Sequence, residues 1–197
     1  MATDAESSPI ILAITGASGS VYGIELARQL LAKKEPVFLL VTETGRAVFE
    51  RESGQKIDGW IDCLRQTDEG KNLIVPKMND FASSIASGSF RTRGMIVAPC
   101  SMGTLGRIAS GISSNLLERS ADVCLKEGRP LILIARETPL SAIHLENMLK
   151  LSRAGAVIMP PVPAFYAKPH TIEDIIRATC DRVLDRFNLA PEDMFRW

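Results

Sequence analysis

Several short stretches of this 197-residue chain place small, hydroxyl or charged residues directly after an apolar run, where they could do chemistry. The first is Thr15-Gly16-Ala17-Ser18-Gly19-Ser20. Its glycines and short side chains let backbone approach an anion. A helix starting at Ser20 would offer free N–H groups and a positive dipole end to phosphate. The glycine spacing (16, 19, 23) is not the GxGxxG dinucleotide fingerprint. A tight strand-to-helix turn with nothing bound is therefore an equally open reading. Next come Thr42-Glu43-Thr44-Gly45 and Pro99-Cys100-Ser101-Met102-Gly103-Thr104. In the former the hydroxyl could meet a ligand, but capping the following helix is favoured. The latter opens a helix with small residues and suits a second phosphate or ring-edge site. Cys100 invites a nucleophile reading, yet a small buried hydrophobe at a strand end is the simpler one.

Charged and aromatic candidates follow. Arg136-Glu137 puts a cation beside a carboxylate at a run's end, which is costly unless partnered or used. Pro160-Pro161-Val162-Pro163-Ala164-Phe165-Tyr166 is a stiff loop suited to an aromatic wall over an apolar ligand, or simply to packing. Arg119 and Lys126, seven apart, share one helix face with Asp122 between them. A solvated salt-bridge ladder is the favoured reading from spacing alone. Arg182 flanks the apolar stripe of the last helix, where an arginine usually extends its head to water.

These groups must be positioned by the elements around them. The runs Ile10–Ile14, Val37–Val41, Met95–Ala98, Leu131–Ala135 and Ala156–Met159 are continuously apolar, as strands buried on both faces are. Helical spacing falls between them. Residues 20–33 carry Val21, Ile24, Ala27 and Leu31, and residues 114–127 run from a Ser113-Ser114 cap region to Gly128. Residues 139–153 begin at Thr138-Pro139 and stop at Gly155, while 172–187 follow Thr171 with a stripe of Ile172, Ile176, Val183 and Phe187. Alternating strands and helices predict a doubly wound α/β fold, a parallel sheet covered by helices on both faces. Ligands bind such folds beyond the carboxyl ends of the strands. Residues 55–93 are less periodic and are left unplaced.

Composition narrows the function classes. With 46% apolar and 23% charged residues the chain is neither disordered nor fibrous. Twenty-three basic and 23 acidic residues cancel, so no broad basic field exists for nucleic acid or an anionic membrane. No run reaches the ~18 apolar residues of a membrane span. Residues 1–9 read as a flexible tail before a single domain over 10–197, with no secretory or transit pattern, so a cytoplasmic location is expected. Cys63, Cys100, Cys124 and Cys180 are scattered and only two histidines are available, arguing for free thiols and no metal. No GxSxG, P-loop, HExxH or EF-hand occurs. The residues alone thus point to a phosphate-bearing cofactor, FMN ahead of a dinucleotide.

Taken together, the chain resembles the UbiX-type flavin prenyltransferases from about Ile10 to Trp197. The stretches that carry the resemblance are TGASG at 15–19, ASGSFRTRGMIVAPCSMGTL at 86–105, ADVCLKEGRPLILIARETPLSAIHLENM at 121–148 and MPPVPAFYAKP at 159–169. Family members once assigned as aromatic-acid decarboxylase subunits are similar in the same way. The resemblance implies a Rossmann-like (flavodoxin-like) doubly wound parallel sheet in three αβα layers, and a large homo-oligomer, often a dodecamer, with FMN between subunits. It implies that a dimethylallyl group passes from dimethylallyl monophosphate to N5 and C6 of reduced FMN. The product, prenylated FMN, would serve a UbiD-type decarboxylase, in ubiquinone synthesis or another pathway, and no metal is needed.

By position, the resemblance gives FMN binding to Gly16, Ala17, Ser18, Thr42, Ser101, Met102, Gly103, Thr104 and Arg136. It gives the prenyl phosphate to Tyr166 and Arg182. It gives catalytic parts to Ser87, Arg119, Lys126 and Glu137, a flavin-side carboxylate to Glu52, and an aromatic wall to Trp197. The chemistry suits those types: cations neutralise a departing phosphate, Glu137 can shuttle a proton, and aromatic faces meet allylic positive charge. Three positions depart from the family pattern: Thr42 stands where Ser is common and keeps the hydroxyl, Glu43 where a basic residue is common, and Gly103 where lysine is frequent. Alternative functions are a non-catalytic FMN-binding accessory subunit and a flavin-dependent cysteine decarboxylase.

Overall fold

The structure, a computed structural model, describes residues 8–196. The expected tail over 1–9 therefore lies mostly outside the described residues, as does Trp197. Six strands form one sheet: β1 (Ile10–Ile14), β2 (Val37–Val41), β3 (Leu73–Ile74), β4 (Gly94–Cys100), β5 (Leu131–Ala135) and β6 (Val157–Ile158). Their order is β3-β2-β1-β4-β5-β6 and every pairing is parallel. The winding reverses between β1 and β4, which makes that junction the topological switch point. Without the two-residue edge strand β3, the order is that of flavodoxin-like sheets.

The helices are α1 (Ser20–Ala32), α2 (Glu43–Ser53), α3 (Ile57–Arg65), α4 (Met102–Ala109), α5 (Leu116–Lys126), α6 (Ala142–Arg153) and α7 (Ile172–Asp185). Every residue of β1, β2, β4 and β5 is buried, which is why these strands read as unbroken apolar runs. Their side chains alternate between two cores. Ile10, Leu12 and Ile14 join Leu26 and Leu30 of α1, Phe49 of α2, Ile57 of α3 and Val183 of α7. Ile11 and Ala13 join Leu105 of α4, Leu117 and Ala121 of α5 and Leu151 of α6. The sheet thus separates α1, α2, α3 and α7 from α4, α5 and α6, giving the three layers that the run pattern predicts.

Several boundaries differ from the sequence reading. The buried side of α1 carries Gly23, Leu26, Ala27, Leu30 and Leu31, while Val21 is exposed. Helix α5 is capped by Asn115, whose side chain accepts from Glu118 N–H at 2.9 Å, rather than by the preceding serines. Gly128 does close it, at φ 64. Helix α6 starts three residues after Pro139 because Ser141 and His144 form a reciprocal capping box there. Thr171 and Asp174 form another at α7, although Ile172 is 72% exposed and leaves the buried stripe. Strand β4 runs on through Cys100, with its register to β5 shifting around Pro99, where no N–H is available for the ladder. The unplaced stretch 55–93 holds α3, a 3-10 turn at Glu69–Asn72, β3 and a second 3-10 turn at Ser84–Ala86. Only Ile57 and Ile61 of α3 are buried, too few for a period to register.

Candidate active site

The carboxyl ends of β1, β2 and β4 meet at a cleft of about 480 Å³ lined by Gly16, Thr42, Glu43, Ser101, Thr104, Arg107 and Asn115, among others. Three of these residues are helix N-caps. Thr42 Oγ1 accepts from Gly45 N–H at 3.0 Å, Ser101 Oγ from Thr104 N–H at 3.3 Å, and Asn115 caps α5. The positive dipole ends of α2, α4 and α5 therefore face one space. Behind it Thr15 ties the strands together. Its hydroxyl donates to Pro99 O at 2.7 Å and accepts from Ser101 N–H at 2.8 Å. Gly16 has to be glycine here, since a Cβ would lie 2.5 Å from Thr44 Oγ1.

The start of α1 is arranged differently from the phosphate seat considered above. Gly19 occupies its N-cap at φ 106 and supplies no side chain. Glu52, from the last turn of α2, fills the role. Its carboxylate accepts from Gly19 N–H at 2.8 Å, Ser20 N–H at 2.9 Å and Ser20 Oγ–H at 2.6 Å. Burial pushes this carboxyl up, but the hydrogen bonds from Ser18, Ser20 and Gly19 outweigh it and hold the carboxyl below its ordinary range. The anion at this helix terminus is thus one of the protein's own. From β5, Arg136 Nε reaches Ser18 O at 3.0 Å and braces the same loop, while exposed Glu137 accepts from Thr138 N–H at 3.0 Å.

A second cleft, of about 640 Å³, opens beside α7 and includes Tyr166, Lys168, Arg177, Arg182 and Phe195. The Tyr166 and Phe195 rings stand 5.6 Å apart, and Phe165 beside them is exposed. Arg182 reaches Asp185 at 3.5 Å with most of its side chain in solvent.

The remaining candidates stand elsewhere. Arg119 on α5 donates to Ala86 O at 3.0 Å and pairs with Asp122 at 2.7 Å. Lys126 does not continue that ladder; it pairs with Glu127 at 2.5 Å. It also stands against Gly88, where a Cβ would come within 2.7 Å of Lys126 Nζ. Ser87, next to Gly88, shares a 2.8 Å hydroxyl contact with Ser89. Ser87, Arg119 and Lys126 therefore belong to one group. Lys126 lies eleven residues beyond Asn115, about 16 Å down α5 from the switch-point cleft, and across the sheet from Arg182 on α7.

Residues 1–184 match the Flavoprotein family model. A flavin prenyltransferase UbiX from Halalkalibacterium halodurans is 47% identical over 187 residues, covering 93% of this chain and 90% of that protein. A UbiX crystal structure in complex with FMN and dimethylallyl pyrophosphate superposes with a TM-score of 0.86 at 44% identity, covering 96% and 97% of the two chains. The chain belongs to the UbiX flavin prenyltransferase family. A dodecameric FMN-dependent UbiX-like decarboxylase from Escherichia coli O157:H7 also matches, with a TM-score of 0.86 at 41% identity over 96% of this chain and 98% of that one.

The switch-point cleft fits the phosphate-bearing end of FMN. It offers hydroxyls, three helix N-termini and the Arg107 guanidinium, and the glycine at 16 keeps its floor low. Gly16, Thr42, Ser101 and Thr104 line it; buried Met102 underlies the first turn of α4, and Gly103 is exposed there. Ala17 is buried and Ser18 exposed in the adjoining loop. The sequence reading missed Arg107 and Asn115. Arg107 follows Thr104 by three residues, so helical spacing from the strand-end motif could have found it. Cys100 is fully buried, with its thiol pushed up to about 12 by desolvation, which removes it as a nucleophile. All four cysteines are unpaired, and only Cys63 is exposed.

Proposed function

We propose that this UbiX-family protein is a flavin prenyltransferase acting on reduced FMN, with dimethylallyl monophosphate as donor. The observation that carries this reading is the switch-point cleft, where three helix N-termini, hydroxyls and a guanidinium converge in a chain of this family. When bound and reduced, FMN supplies the nucleophilic ring atoms N5 and C6. The allylic C–O bond of the donor breaks, the phosphate leaves, and the five-carbon unit is joined at both positions with net loss of a proton to the phosphate.

The protein's own part is to bind, orient and neutralise. Gly16, Ala17, Ser18, Thr42, Ser101, Met102, Gly103, Thr104 and Arg136 hold FMN. Tyr166 and Arg182 take the donor phosphate, where charge-assisted hydrogen bonds strengthen as negative charge grows on the leaving oxygen. Glu137 moves the proton to the departing phosphate. The π-face of Tyr166 meets positive charge on the prenyl fragment. Glu52 holds the flavin-side loop in register.

Ser87, Arg119 and Lys126 complete the phosphate side from a second copy of the chain. The distance of Lys126 from the cleft along α5, and the sheet between that helix and Arg182, support this division. The exposed apolar residues Leu140, Ile143 and Leu149 on and before α6 support burial of that face in the same assembly, read here as a dodecamer. Trp197 would add an aromatic wall. The product serves a UbiD-type decarboxylase. The free thiols, and the absence among described residues of a helix long and apolar enough to cross a membrane, fit a cytoplasmic setting.

The test is anaerobic incubation with reduced FMN and either dimethylallyl monophosphate or diphosphate, followed by the mass of the released flavin. A gain of one five-carbon prenyl unit is expected with the monophosphate. Gain with the diphosphate alone would reassign the donor. Unmodified FMN, bound beside intact donor, would sink the transferase reading in favour of an accessory subunit.

A further inference from the structure

Among the described residues one cation lines the switch-point cleft, and its position is set by a buried carboxylate. Arg107, on the second turn of α4, donates through Nε to Glu118 Oε1 at 2.5 Å and through Nη2 to Thr104 Oγ1 at 3.3 Å. The Glu118 side chain is fully buried, whereas that of Arg107 is 43% exposed. Glu118 also accepts from Ser114 N–H at 2.9 Å and from Ser114 Oγ–H at 2.5 Å. Those partners satisfy its oxygens, so it remains ionised despite burial and anchors one edge of the guanidinium. The other edge is turned back along α4. Arg107 Nη1 would lie 3.4 Å from a Cβ at Gly103, a residue exposed in the first turn.

A planar donor is thus held over the first turn of α4, beside hydroxyls from Ser101 and Thr104. This is the geometry suited to a phosphate dianion, because guanidinium offers paired N–H groups and keeps its charge at every working pH. The bare glycine at 103 leaves the space open. Among the described residues, the sole carboxylate lining the cleft is Glu43 on the opposite side. Without Arg107 the lining side chains would carry net negative charge.

We propose that Arg107, oriented by Glu118, recognises the phosphate of FMN and selects it over unphosphorylated riboflavin. This rests on the reading that the switch-point cleft holds FMN. Arg107 contacts the ligand; Glu118 is a positioning residue that acts through it.

The experiment measures dissociation constants for FMN and riboflavin by flavin fluorescence on the intact assembly. Arg107→Met is expected to weaken FMN by about 10- to 100-fold, as loss of a charged hydrogen bond does, and to leave riboflavin within about two-fold. Arg107→Met leaves Glu118 buried without its cation, so Arg107→Met/Glu118→Gln is run beside it and should show the same collapse of the FMN-to-riboflavin ratio. Gly103→Lys added to Arg107→Met should recover most of the FMN affinity. A lysine there returns a cation to the space from which the guanidinium has been removed. Retained FMN preference in both Arg107 variants, or equal losses for the two flavins, would overturn the assignment. A wild type that shows no preference for FMN would instead overturn the flavin reading of the cleft itself.

Discussion

Replacing Glu52 tests whether the α1 terminus is held as the geometry indicates. Gly19 gives α1 no side-chain cap, so Glu52 supplies it from 32 and 33 residues away in the chain through two N–H groups and the Ser20 hydroxyl. Losing a cap costs about 0.5–2 kcal/mol, and losing a negative charge at a helix N-terminus about 0.3–1 kcal/mol. Glu52 is largely exposed, so water replaces part of what is lost. Glu52→Ala should therefore cost about 1–2 kcal/mol in total. For a domain of this size that is a fall in Tm of about 2–8 °C. Glu52→Gln keeps an acceptor oxygen and should lose about half as much. The pH dependence has a definite sign. The folded carboxyl lies below its ordinary value of 4.5, so its stabilisation is fully present above that value. It is lost as the pH falls through the folded value. The Tm gap between wild type and Glu52→Gln should hold steady from about pH 5.5 to 8 and close on further acidification. Differential scanning fluorimetry at fixed protein and flavin concentration reads it. An unchanged Tm in both variants, or a gap that widens in acid, refutes the capping argument. So would loss of prenylation by Glu52→Ala with Tm and FMN affinity intact, which would make Glu52 a catalytic group.

Three further outcomes follow from the same geometry. Gly16→Ala forces a Cβ to within 2.5 Å of Thr44 Oγ1 and should cost about 1–3 kcal/mol; Thr44→Gly in the same chain should restore FMN affinity and part of the Tm, the remainder being the cost of a glycine in α2. Glu43→Gln removes a carboxylate lining the cleft and should tighten FMN severalfold at low salt, with the gain fading as ionic strength rises; a salt-independent gain would point to a contact instead. Brief alkylation of the folded protein at pH 8 should label Cys63 alone, since Cys100 and Cys124 are buried with thiols pushed up to about 12 and Cys180 is buried and raised by the same desolvation; peptide mass mapping reads the site, and a labelled Cys100 would contradict its packing.

What could be read in the sequence divides by the range of the interaction that decides it. Strands β1, β2 and β5 were legible to the residue because two-sided burial leaves an unbroken apolar run and nothing distant is needed to recognise it. The start of α7 was legible because Thr171 and Asp174 cap it within one turn. Helix α3 was not, because only two of its residues enter the core. The same division runs through the site. Thr42 and Ser101 declare themselves as hydroxyls at strand ends, where a ligand or a cap would use them. Glu52 stands in an undistinguished charged stretch, and only the folding of α2 against α1 brings it to Gly19 and Ser20. Arg107 reads as one more surface arginine until Thr104 and Glu118, itself held by Ser114, close around it. Arg119 and Lys126 are the sharpest case. Their spacing on one helix face is equally good for a solvated ladder and for a phosphate grip. The fold breaks the ladder by giving Lys126 to Glu127, yet sets both residues on the far layer from Arg182. The sheet stands between their helix and that of Arg182 in one chain, so a phosphate shared by all three cations would be met by residues of two copies.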